Sequence, residues 1–268
     1  MQMPDADRLF KTISRRRRIG WLAALKWVVF PLLPLAVLAI SGVTLKNLVF
    51  GLVCGTSWLA LRAWELSERR RFIREAGLPR FLGAKLRAHY PQLSAADADL
   101  VLRGLRQFFM AHLRAKRTFV AMPSRVVDQA WHEFILHTRG YQAWCEAAFG
   151  TLMHHTPAEV LSGDPRRNDG LRRCWYWACK EESIDPRAPT RLPLLFALDR
   201  KFAIEGGFAY VPDCGDIHRK SDSGTHCGSS FSDDAYSGSA DTFGGAEAGS
   251  ASGGDGDGGG DGGGCGGD

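Results

Sequence analysis

A chain of 268 residues with a formal charge of +5 has room for one or two domains, and an odd count of seven irregularly spaced cysteines makes a poor disulfide framework. The cysteines read as reduced thiols in a cytosolic compartment. Basic residues crowd toward the N-terminus, with Arg15 to Arg18 in a row and Arg69, Arg70 and Arg71 further on, and none follows Lys220. Basic charge beside apolar segments points to a membrane surface. No basic stretch carries the aromatic interleaving of a DNA or RNA reader, so a nucleic-acid partner is not expected.

Residues 1–19 are polar and basic. GWLAALKWVVFPLLPLAVLAI, residues 20–40, follows with Lys26 as its only charge. At a rise of about 1.5 Å per residue such a run reaches across a hydrocarbon core of roughly 30 Å. Pro31 and Pro34 are compatible with a transmembrane helix. After a polar turn, residues 48–64 form a second, shorter apolar run in which Gly51 and Gly55 have the small-xxx-small spacing of close helix pairs. Positive charge flanks both outer ends while the turn holds only Lys46. The positive-inside rule therefore predicts a transmembrane hairpin over 20–64, the lipid bilayer as partner, and both termini and the soluble domain in the cytoplasm. A single anchor and a cleaved signal peptide are the competing readings, and no clear cleavage site favours the latter.

Residues 65–80 read as a charged helical connector, and 81–212 as the globular domain. A short helix over 81–90 is closed by Pro91. Ser94 and Asp97 have N-cap spacing, and Leu102, Leu105, Phe109 and Leu113 line one face of the helix they open. Ser124 caps a further helix that Arg139-Gly140 breaks, and another runs from Tyr141 to Met153. Residues 163–170 read as a loop and 171–183 as an aromatic-rich helix. Pro193 opens a last helix, stopped by Gly206-Gly207. No run alternates like a strand, so the fold class expected is all-α, a membrane hairpin followed by a helical bundle. From 213 to 268 Gly, Ser and Asp dominate, and this tail is expected to be a disordered tether.

Chemistry concentrates in residues 124–155. Asp128 and His132 are one helical turn apart, so the carboxylate can orient the imidazole as the outer partner of a metal ligand does. If the two helices pack antiparallel, His132, Cys145 and His154 converge with Asp128 into a mixed set of the kind zinc accepts. The alternative is packing: Trp131, Tyr141, Trp144 and Phe149 as core aromatics, His132 hydrogen-bonded to Asp128, and Cys145 as a small buried residue. A second cluster, Cys214, His218, His226 and Cys227, offers four ligands in a flexible stretch without a standard finger spacing.

The order Asp128-x-x-Trp131-His132, then Ile135-Leu136-x-Thr138, Tyr141, Cys145, Phe149-Gly150, Leu152 and His154 resembles the glycine-rich domain-containing proteins of plants and their shorter bacterial relatives. The likeness covers about residues 80–212 and leaves out both apolar runs. Where plant-type members often carry a second His two positions after the first, this chain has Phe134. The resemblance implies a domain of unknown function and no enzymatic activity. The function expected is therefore a membrane-anchored protein whose helical domain binds a protein partner or a metal ion. A metal- or thiol-dependent enzyme using His132, Cys145 and His154 is the alternative.

Overall fold

The computed structural model describes residues 5–27, 33–41, 44–155, 165–213 and 225–232. In chain order these hold α1 (Asp5–Trp27), α2 (Leu33–Ser41), α3 (Leu45–Glu75), α4 (Phe81–His89), α5 (Ala95–Arg114), α6 (Arg125–Leu136), α7 (Thr138–Phe149), α8 (Pro165–Glu181), α9 (Leu194–Lys201), β1 (Ala209–Val211) and β2 (Thr225–Cys227).

α5 is the central helix. Ser94 and Asp97 form a reciprocal capping box at its start, satisfying backbone donors that the first turn leaves without partners. Val101, Leu105, Phe108, Phe109 and Leu113 then recur at helical spacing and are buried. The helix packs against α3, α4, α6, α8 and α9. At Gly104 a Cβ would lie 2.5 Å from Leu198 Cδ1 and 3.2 Å from Val127 Cγ2, so the missing side chain is what lets α9 and α6 approach. The break between α6 and α7 falls at His137, three residues before the expected glycine. Gly140 instead lies inside α7, where a Cβ would overlap the His137 ring.

The N-terminal region departs from expectation. No helix among the described residues is long and apolar enough to cross a membrane. The predicted hairpin is overturned, and with it the membrane localisation and the topology that placed both termini in the cytoplasm. The first apolar run does not form one described helix: its start belongs to α1, continuous with Arg15–Arg18, and residues 28–32 lie outside the described residues. The second run continues without interruption through the expected connector, giving α3 31 residues with Glu65, Glu68 and Arg69 buried. Charge holds the two helices together. Lys26 Nζ lies 2.7 Å from Glu65, Arg69 lies 2.8 Å from the same carboxylate, and Arg15 pairs with Glu68 at 3.5 Å and Glu75 at 2.7 Å. Burial raises the Glu65 pKa, but the hydrogen bonds from Lys26 and Arg69 more than offset it and hold the carboxyl below its ordinary range.

Residues 225–232 of the expected tail are also folded. β2 pairs in parallel with β1, Ala209 opposite Thr225 and Val211 opposite Cys227. Phe231 packs on Trp175, Phe196 and Tyr210, and Arg172 Nε donates to its carbonyl at 2.9 Å. The remainder, 233–268, lies outside the described residues. Cys227 is disulfide-bonded, which corrects the reading of the cysteines as uniformly reduced; Cys54, Cys145, Cys174 and Cys179 are free and buried.

Candidate metal centre

The site is built from the N-terminus of α6. Ser124 donates its hydroxyl to Asp199 Oδ1 at 2.7 Å and accepts from Val127 N. Asp199 reaches across from α9 and also accepts from Arg125 N at 2.7 Å, Val126 N at 3.1 Å and Phe208 N at 2.9 Å. A carboxylate at this helix end meets the positive pole of the helix dipole as well as its unpaired N–H groups. With α6 anchored there, Asp128 and His132 project from successive turns of one face.

The third member comes from the segment after α7. Gly150, at φ +81°, ends α7 in the left-handed conformation, its N–H bonded to the carbonyls of Cys145 and Glu146. The next residues are pinned from below. Trp131 Nε1 donates to Tyr141 Oη at 3.0 Å, and Tyr141 Oη donates to the Met153 carbonyl at 2.6 Å. Cys145, fully buried, hydrogen-bonds the Met153 backbone, and burial pushes its thiol pKa up. The residues Trp131, Tyr141 and Cys145 thus hold the strand of chain that delivers His155.

His155 Nε2 lies 3.1 Å from Asp128 Oδ1, and His132 Nδ1 lies 3.5 Å from Asp128 Oδ2. The two imidazoles are 4.3 Å apart at their centroids, and Trp131 packs edge-on against His155. One ligand atom from each of Asp128, His132 and His155 lies within 4.8 Å of the others. A tetrahedral ion with bonds of about 2.0–2.2 Å separates its ligands by roughly 3.3–3.6 Å, so a small inward movement of the imidazoles closes the set.

Of the residues expected from sequence, Asp128 and His132 come together. Cys145 is in the core beneath the loop, and His154 is exposed and outside the three-residue group. His155 takes the place expected for its neighbour; in a non-helical segment no periodicity tells which of two adjacent histidines turns inward. In the second cluster, Cys214 and His218 lie outside the described residues, and the disulfide removes Cys227 as a thiolate ligand. Asp199 carries no sequence signal of its role, since three of its partners are 73 to 75 residues away at the start of α6.

The three side chains line a cavity of about 750 Å³ whose wall also includes Tyr90, His112, Arg117 and Arg125. Residues 68–231 match the model of a family described as UCP032817-like. No curated protein and no solved structure gives a match.

Proposed function

The chain belongs to the UCP032817-like family, and we propose that it binds one divalent transition-metal ion, zinc first, through Asp128, His132 and His155. The observation that carries this reading is the convergence of two imidazole nitrogens and a carboxylate on one point of a cavity wall. Nitrogen and carboxylate oxygen are a donor set that zinc and its neighbours accept, whereas calcium and magnesium favour oxygen alone. In this reading the residues that carry the sequence resemblance to the glycine-rich domain-containing proteins take two roles: Asp128 and His132 as ligands, and Trp131, Tyr141 and Cys145 as support for the third ligand.

Three protein ligands leave a coordination position facing the cavity, which favours a second reading, metal-dependent enzyme, over a closed structural site. The thiol-dependent branch finds less support, since a buried thiol with a raised pKa is a weak nucleophile. The competing account is a hydrogen-bonded Asp–His pair with a second His beside it and no ion.

Metal analysis of the purified full chain after zinc loading and dialysis separates these accounts. Wild type and His154→Ala are expected to retain about one zinc each, and His155→Ala and Asp128→Ala to lose it. Equal zinc in all four proteins, or none in wild type, rejects the site.

A further inference from the structure

The same cavity has a second group of polar residues at the C-terminal end of α5. His112 is only 8 % exposed, packs edge-on against Phe149, and sets its Nδ1 3.2 Å from the Thr118 carbonyl. A carbonyl can only accept, so the ring proton sits on Nδ1 and Nε2 carries a bare lone pair. Burial holds the His112 pKa down to about 4, which keeps the ring neutral near neutral pH. Nε2 has no protein partner among the described residues, and His112 lines the cavity. An imidazole acceptor open to the cavity can take a donor from a bound molecule.

Arg117 stands next to it. Its backbone N–H bonds the His112 carbonyl at 2.9 Å, and its charge is near enough to depress the His112 pKa further. Arg117 lines the cavity near the α3 charges Arg69, Glu65 and Arg62, and its guanidinium makes no hydrogen bond or ion pair among the described residues, so its donors are available to a ligand. Lys116 and Arg117 both adopt left-handed backbone, at φ 54° and 65°, a conformation that costs energy in non-glycine residues.

We propose that this end of the cavity binds a small organic oxyanion bearing a hydroxyl group, with the carboxylate or phosphate on Arg117 and the hydroxyl donating to His112 Nε2. A planar guanidinium pairs with either oxyanion through parallel N–H···O bonds. The bare imidazole nitrogen then selects for a hydroxyl beside that charge, because a ligand with no donor leaves the lone pair unpaired. The inference stands apart from the metal reading, since neither His112 nor Arg117 is one of the three proposed ligands.

Calorimetric titration of the full chain, stripped of metal, tests it. Glycerol 3-phosphate and glycerate carry both groups, ethyl phosphate and propionate lack the hydroxyl, and glycerol lacks the charge. One of the first two is expected to saturate the protein with a Kd at or below about 1 mM, its hydroxyl-free counterpart to bind about tenfold more weakly, and glycerol to show no binding. Whichever of the two binds more tightly identifies the anion. Arg117→Gln, at an exposed position where folding is not at stake, is expected to weaken binding by about tenfold or more. In His112→Phe the preference for the hydroxyl should vanish while anion binding persists. No binding of any probe at about 10 mM overturns the proposal, as does Arg117→Gln matching wild type. Binding that appears only once zinc is restored also overturns it, because the anion would then sit on the metal.

Discussion

Trp21, Leu48, Leu52 and Val53 stand more than half exposed on α1 and α3, while between residues 68 and 231 only Leu136 does the same among the described large apolar side chains. The two regions hold themselves together by different means. In the domain of α4 to α9, aromatics interlock around α5: Phe109 touches Trp131, Trp144 and Phe149, and Trp175 touches Phe196. In the N-terminal arm, Ile19 and Leu22 of α1 are buried, and α1 meets α3 through the chain of charges Lys26, Glu65 and Arg69. Arg69 is one link between the regions, since its Nη1 also donates to the carbonyls of Glu146 and Ala147 at the end of α7. Most of the apolar burial thus resides in the domain, and the arm adds directed charge contacts to the few apolar side chains, Ile19, Phe72 and Ile73, that it sinks into the same core.

The comparison can be broken most forcefully at Asp199. Replacing it with Ala strips partners from Ser124, Arg125, Val126 and Phe208 at once, and a loss of about 4 kcal/mol in denaturant unfolding is expected. A loss below about 1 kcal/mol would mean that Ser124 alone holds α6 in place.

Acid comes next. His112 has an ordinary pKa of 6.5 unfolded and about 4 folded, so between those values the unfolded chain binds the extra proton. Stability contributed by the neutral buried ring is present above pH 6.5 and lost as pH falls toward 4, by up to about 3 kcal/mol. Unfolding curves from pH 7 to pH 4 are expected to show a shallower decline in His112→Gln than in wild type; parallel curves would assign the decline to other groups.

A finer cut is Tyr141→Phe, which keeps the ring and removes the bonds from Trp131 and to Met153. We expect about 1–2 kcal/mol of destabilisation and weaker zinc retention, because the loop before His155 loses its anchor. Unchanged zinc content with reduced stability would detach the loop from the site. The smallest effect belongs to the arm. Leu48→Ser and Leu52→Ser, at 61 % and 69 % exposed, are expected to change stability by no more than about 0.5 kcal/mol each. The buried counterpart Leu105→Ala should cost about 3 kcal/mol, and equal effects at the two places would erase the distinction.

Local signals in the sequence carried much of the domain. Ser94 with Asp97, Ser124, and Pro193 mark helix starts because capping depends on residues within one turn. Asp128 and His132 were legible as a pair for the same reason, their spacing being a property of one helix. Hydrophobicity over 20–64 suggests a hairpin because no short window shows that Lys26 pairs with Glu65, 39 residues on. His155, Asp199 and the return of residues 225–232 onto Trp175 depend on how distant segments meet, which no short window of sequence contains.

The most direct test of the metal centre is anomalous diffraction at the zinc edge from crystals of the full chain grown with zinc. The account predicts one peak about 2.0–2.2 Å from an Asp128 carboxylate oxygen, His132 Nδ1 and His155 Nε2. A zinc peak at other residues, or none with His155 still hydrogen-bonded to Asp128, would contradict it.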